Sequence, residues 1–254
     1  MSECNREQLV NNPEFLYVVD QNGQSKKLSL NEIEKLFGIK WLEWDISDIK
    51  FIKCLTPFWD ISFLDVNEFL NKLEVRYMGK QYGWGLFSRD YIKKGSVIGV
   101  FTGVISFQER NKQITSEHVF ISDAPDNKFL IIDGTTCGNI TRFLQHLPNI
   151  DSIENYCFDN TVDKTNIALE NVEIAVVELF GASVQTNLFI ASRSINPNEI
   201  IGCAYDSASW ENSAPAIFKK DGTVIDQKFY KILGKEFKPT RSVVPVYVTS
   251  RHLR

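Results

Sequence analysis

The stretch GNITRFLQHLPN, residues 138–149, threads polar side chains through an apolar run. Gly138 and Asn139 read as a turn. Arg142, Gln145 and His146 then sit among Phe143, Leu144 and Leu147, so each polar head needs a hydrogen-bond partner wherever it is buried. The partners are either the protein's own backbone or a molecule that binds here, and these twelve residues alone leave both open.

Around this stretch lies a chain of 254 residues, long enough for one large domain or two small ones with a substantial core. Hydrophobic residues at 43% and charged residues at 24% are ordinary for a soluble globular protein. A formal net charge of −4 argues against a broad basic face for nucleic acid, and Lys219-Lys220 reads as a solvated turn. The first residues, MSECNREQLVNN, lack the apolar segment of a secretory signal. No apolar run approaches the ~18 residues of a membrane span. Cys4, Cys54, Cys137, Cys157 and Cys203 are scattered with no CxxC pair, so no metal site is expected and reduced thiols in the cytoplasm are the simplest reading.

Three blocks follow from the local patterns. Residues 1–74 are expected to form a small α/β cap. FLYVVDQNGQSKKLSL predicts a hairpin turning at Asn22-Gly23, and Ser29 with Glu32 has capping-box spacing. Gly38 is the expected stop of the helix LNEIEKLF, and a second helix is expected over VNEFLNKL. Residues 75–206 alternate short β-rich runs (VIGVFTGVIS, HVFISD, KFLIIDG, NVEIAVVEL, NLFIAS) with turn residues, which predicts a predominantly β domain with short helices, α+β in class. Residues 207–254 carry a hairpin signal at KKDGTV, an expected helix over DQKFYKILGK and a last strand in SVVPVYVTS.

Four segments of the central block stand in a fixed order. Gly83-Trp84-Gly85 comes first, followed by Tyr91-Ile92-Lys93-Lys94-Gly95 with Phe101 and Gly103. Ile132-Asp133-Gly134, Gly138-Asn139, Arg142-Phe143 and His146 come next. Phe189-Ile190-Ala191, Arg193, Ile195, Glu199 and Tyr205 close the series. A lone GxG is weak evidence, because a tight turn uses the same residues. Together the four segments resemble the SET-domain protein-lysine methyltransferases over roughly 130 residues, in a compact form without the zinc-binding cysteine clusters that flank many relatives.

The resemblance implies a SET (β-clip) fold with small flanking regions, and S-adenosylmethionine as cofactor. It assigns Gly83, Trp84, Gly85, His118, Arg142, Gln145, His146 and Asn166 to cofactor binding and Tyr205 to catalysis. Gln145-His146 stands where the family has Asn-His, Leu147-Pro148 replaces Ser-Cys, and His118 falls at a customary tyrosine. Asn198 replaces a glycine in the last motif. The family's Pro-Asn has two candidates, Pro148-Asn149 and, preferred here, Asn166, which makes residues 149–165 an inserted loop. With no cysteine after Cys203, residues 207–254 are expected to close the active site, Trp210, Phe218 or Phe229 offering an aromatic wall.

The implied partner is a protein bearing a target lysine, histone or non-histone, with no direct contact to nucleic acid or membrane. A bacterial origin would add delivery into a host cell as an effector. Two other readings stand beside this one. A SET-like binding module that has lost catalysis draws on Gln145, Leu147 and His118. A hydrolase pairing Cys137 or Cys157 with His146 lacks an orienting group.

Overall fold

Runs of β-branched and aromatic residues keep most of this chain extended. In the computed structural model the N-terminal hairpin forms as the sequence predicts, Phe15–Val19 pairing antiparallel with Ser25–Ser29. Gly23, at φ 75°, sits in its turn and donates its N–H to the Asp20 carbonyl at 2.9 Å. The helix Leu30–Phe37 follows directly. Glu32 accepts from the Ser29 backbone N–H at 2.8 Å, and Gly38 closes the helix in the left-handed conformation at φ 64°. The structure describes residues 14–43, 50–53, 69–110, 118–124, 126–149, 153–154, 156–179, 184–204, 216–232 and 246–249.

Three larger sheets organise the chain. The first runs in the order Gln145–His146, Ile200–Cys203, Trp84–Ser88, Leu73–Tyr77, Phe15–Val19 and Ser25–Ser29, so the N-terminal hairpin extends the same sheet that carries the central motifs. In the second, Lys50–Lys53, Val172–Leu179, Val184–Ala191 and Val97–Val100 pair antiparallel. The third orders Val246–Thr249, His118–Ala124, Lys128–Asp133 and Val104–Glu109. One core crosses the boundary between the first two sequence blocks: Leu16, Val18, Ile33 and Trp41 pack with Val75, Leu86, Ile98, Phe143 and Ile201. The fold is mostly strand with short helices, as the patterning predicts.

Two local expectations give way to tertiary contacts. The helix expected over DQKFYKILGK is, over its described part, the 3-10 turn Gln227–Phe229 running into the strand Tyr230–Ile232. That strand pairs with Tyr156–Phe158, and Tyr230 packs against both Tyr156 and Phe158 at 5.9 Å between ring centroids. The aromatic pairing overrides the local helical period. The same contact means that residues 149–165, read from sequence as an inserted loop, contain a strand. The hairpin at KKDGTV forms, Ile217–Phe218 against Val224–Ile225. Of the helix expected over VNEFLNKL, residues 66–68 lie outside the described residues, Phe69 and Leu70 are helical, Asn71 and Lys72 form a turn, and Leu73 already begins the strand Leu73–Tyr77, whose pairing in the first sheet ends the helix early.

The Ile200–Cys203 strand is the hinge of the first sheet. On one side Ile200 and Ile201 stand opposite Phe87 and Leu86. On the other, Gly202 and Cys203 run parallel to Gln145 and His146. A Cβ on Gly202 would stand 2.2 Å from the Gln145 carbonyl oxygen and 2.8 Å from Leu147 Cγ. Neither the backbone atom nor the fully buried Leu147 has room to retreat. Gly202→Ala is therefore expected to lose about 2–3 kcal/mol of unfolding free energy in urea titration, overpacking at a backbone contact being its cause. A variant as stable as the parent would show that the two strands separate without cost.

Candidate functional site

Gly83 begins the site. At φ 66° it adopts a left-handed backbone, its N–H donating to the Gly79 carbonyl at 2.8 Å and its own carbonyl accepting from Met78. A Cβ on Gly83 would meet nothing within 4 Å, so the backbone here is open to approach. Gly85 is the opposite case: a side chain there would run into Met78 Sδ at 2.2 Å, with Gln145 Cγ at 3.4 Å. Trp84 between them is half-buried, with Tyr77 at 5.2 Å and Phe37 at 5.2 Å, both edge-on.

Gln145 comes to this turn from the neighbouring strand. Its Nε2 donates to the Trp84 carbonyl at 2.9 Å, the extra methylene relative to asparagine carrying the amide across. Leu147, which stands where the family pattern has serine, is a core residue with Phe87, Ala168, Ile200 and Phe218. Its backbone N–H donates to the Cys203 carbonyl at 3.0 Å. Three of the motif segments are thus neighbouring strands: the Gly83-Trp84-Gly85 turn, Gln145-His146 and the strand that leads towards position 205.

The turn before Gln145 is built on Asn139. This residue, 1% exposed, caps the 3-10 helix Ile140–Phe143 by accepting from Thr141 N at 3.1 Å and Thr141 Oγ1 at 2.7 Å. Its Nδ2 donates to the Val100 carbonyl at 3.0 Å and to Glu43 Oε2 at 2.8 Å, which completes the capacity of the amide. Arg142 lies within the helix. Its Nη1 is buried and has no hydrogen-bond acceptor among the described residues, and burial pulls the guanidinium below its ordinary pKa.

The remaining sequence-predicted residues fall as follows. His118 lies in the strand His118–Ala124, with its backbone opposite Val246. Asn166 ends the 3-10 turn Lys164–Asn166 and accepts from Lys220 N at 2.9 Å through its carbonyl. Tyr205 and Trp210 lie outside the described residues. Phe218 is buried against Tyr82, at 5.6 Å between ring centroids, next to the Gly83 turn, whereas Phe229 is 36% exposed.

Sequence reasoning missed three residues. Asn171, 1% exposed, grips the Ile200–Cys203 strand: Nδ2 donates to the Ile200 carbonyl at 2.8 Å and Oδ1 accepts from Gly202 N at 3.0 Å. Its place one residue before the strand Val172–Leu179 was the available signal. Phe37 and Glu43, both from the N-terminal cap, carry no motif at all. Phe37 packs on Trp84 and, at 4.6 Å, on Phe143.

Glu43 and His146 are shifted in opposite directions by the same cause. Burial pushes the Glu43 carboxyl up to about 7, against the donors Asn139 and Trp41 that hold it down. Burial pushes the His146 imidazole down to about 3, so it is neutral at physiological pH. The unfolded chain protonates this histidine below pH 6.5 and the folded one does not, so its contribution is whole above pH 6.5 and drains away as pH falls towards 3. Between pH 7 and pH 5 the group is expected to remove roughly 2 kcal/mol of stability. His146→Gln should flatten that slope in urea titrations at the two pH values. An unchanged slope would mean that the imidazole is protonated in the folded state.

Comparison with known proteins points the same way as the order of the motifs. Residues 83–206 match the family model of the SET domain. Among solved structures, the ATXR5 SET domain in complex with dimethylated histone H3 is 19% identical, with 60% of this chain and 63% of that chain covered and a TM-score of 0.41. KRYPTONITE in complex with mCHG DNA and SAH is 20% identical, with 59% of this chain and 27% of that chain covered and a TM-score of 0.38. The methyltransferase domain of human histone-lysine N-methyltransferase SETMAR is 19% identical, with 70% of this chain and 59% of that chain covered and a TM-score of 0.37. The chain therefore spans less than two thirds of each of these three. The match that begins at Gly83 and ends just past position 205 takes in all four motif segments: residues 83–206 of this chain match the SET domain.

Proposed function

We propose that this protein is a protein-lysine N-methyltransferase using S-adenosylmethionine, the activity typical of SET domains. The observation that carries the reading is the adjacency of three strands: Ile200–Cys203 lies between Trp84–Ser88 and Gln145–His146, so the glycine-flanked turn, the Gln-His pair and the approach to Tyr205 meet at one end of one sheet.

The residues present fit the cofactor. Arg142 Nη1 is an enclosed donor with no acceptor among the described residues, and a ligand carboxylate would supply one. The open left-handed backbone at Gly83 suits close approach by a ligand along the main chain of Gly83, Trp84 and Gly85. When bound, S-adenosylmethionine supplies an electrophilic methyl group on a sulfonium. Methyl transfer to an amine is a direct displacement, so the task of the protein is alignment. Tyr205, two residues beyond the Ile200–Cys203 strand, is the residue we assign to orienting the amine through its phenol. The amine must be neutral, and a free lysine with pKa near 10.4 needs roughly 3 kcal/mol to lose its proton at pH 8. An apolar channel lowers that cost. A phenolate acting as base is disfavoured because the phenol itself titrates near 10. The mild acidity of the chain favours encounter with a basic, lysine-bearing segment, in a histone tail or another protein.

One observation favours a second reading, a SET-like binding module without catalysis. The Gln145 amide donates to the Trp84 carbonyl, a main-chain atom of the turn that the first reading gives to the cofactor.

Two variants separate the readings. Tyr205→Phe is expected to lower methyl transfer at least about a hundredfold in a radiolabelled-methyl assay on lysate proteins, with S-adenosylmethionine affinity within about twofold by calorimetry. Full activity in that variant removes Tyr205 from catalysis. Arg142→Ala is expected to weaken S-adenosylmethionine binding about tenfold, the loss of one charged hydrogen bond. Unaltered binding would leave Arg142 a purely structural role, and a wild-type protein that binds no S-adenosylmethionine would favour the binding module.

A further inference from the structure

The turn Asn139–Phe143 carries Arg142 and leads two residues on to Gln145, yet much of what holds it comes from outside residues 83–206. The cap strand Lys40–Trp41 pairs parallel with Cys137–Gly138. Lys40 N donates to the Thr136 carbonyl at 2.9 Å and Leu42 N to the Gly138 carbonyl at 3.0 Å. The buried Thr102 hydroxyl donates to the Leu42 carbonyl at 2.9 Å, and Trp41 N donates to Glu34 Oε1 at 3.0 Å, which ties the strand back to its own helix. The segment reaches Glu43, whose Oε1 accepts from Trp41 Nε1 at 2.9 Å and whose Oε2 accepts from Asn139 Nδ2 at 2.8 Å. At the other end of the turn, Phe37 packs on Phe143 at 4.6 Å while also touching Trp84 at 5.2 Å.

We infer that the N-terminal cap is a working part of the cofactor site, and that Glu43 is the positioning residue through which it fixes the Asn139–Phe143 turn. This rests on the S-adenosylmethionine reading for the identity of the ligand but not for the contact itself. The cap grips the turn at both ends, Glu43 at Asn139 and Phe37 at Phe143. Asn139 in turn caps the short helix, so its rotamer sets where Arg142 and the following Gln145 point. A glutamine at position 43 would offer an NH2 to one of two N–H donors and so cannot hold both.

A group that serves only to fill space would not need a carboxylate enclosed at this cost, and burial does push this one up to about 7. Among the described residues, the titratable groups on the elements packed around it are Glu34 and Lys40 of the cap and Cys137 and Arg142 of the loop, and none of these contributes to that shift. Protonation of Glu43 therefore reports on its own two contacts.

The test uses the full chain, labelled with 15N, and two proton–nitrogen NMR signals, the Asn139 side-chain amide and the Trp41 indole. Without any ligand the two should move together with pH, with one midpoint near 7. In Glu43→Gln neither should move, the backbone amides of residues 140–145 should be displaced from their wild-type positions, and S-adenosylmethionine should bind about tenfold more weakly by calorimetry. Independent movement of the two wild-type signals overturns the inference. So does a Glu43→Gln protein with unmoved amides at 140–145 or with wild-type affinity. If Glu43→Gln does not fold, the wild-type titration and Trp41→Phe, which leaves the Asn139 signal as the sole reporter, decide the matter. A wild-type chain that does not bind S-adenosylmethionine defeats the methyltransferase reading alone, because the ligand-free signals still decide Glu43.

Discussion

The site depends on one close approach. Gly202 lets the backbone of Gln145 lie against the Ile200–Cys203 strand at a distance that no side chain permits. Everything nearby follows from that contact. Gln145 can reach the Trp84 carbonyl because its strand lies tight against the strand that separates it from the Trp84 turn. Asn171 locks the same strand from the other direction by bonding both Ile200 and Gly202. Two partners grip a strand only four residues long.

The regular parts of this arrangement were legible in the sequence because they are local. Asn22-Gly23 names a hairpin turn, Ser29 with Glu32 and Gly38 brackets a helix, and four ordered motifs name the family. The substitution of Asn198 for a glycine also makes sense locally: Asn198 stands at φ 68°, a conformation that asparagine tolerates better than most residues. Arg76 then uses the side chain that glycine would lack, donating from Nη2 to Asn198 Oδ1 at 2.7 Å. Here the departure from the pattern keeps the backbone and adds a contact.

What the sequence withheld depends on contacts far apart in the chain. Asn171 lies 31 residues from Gly202, and Glu43 lies 96 residues from Asn139. No periodicity links such pairs, so Asn166 and Asn171 look alike in sequence and Glu43 belongs to no motif. The strand Tyr230–Ile232 was hidden for the same reason. Its local pattern suits a helix, and its partner strand sits in a segment that reads as an insertion.

Two charged groups belong to the Asn139–Phe143 turn, Arg142 within it and Glu43 bonded to it from the cap, and burial treats them differently. A carboxylic acid can escape desolvation by taking a proton, and Glu43 moves towards that state. A guanidinium has no such exit at any ordinary pH, so Arg142 stays cationic with one nitrogen enclosed and, among the described residues, without an acceptor. Enclosing part of an unpaired charge is costly, and an anionic partner offsets that cost. The Glu43 carboxylate is committed to Asn139 and Trp41. Under the methyltransferase reading we propose, the anionic partner of Arg142 is the carboxylate of S-adenosylmethionine.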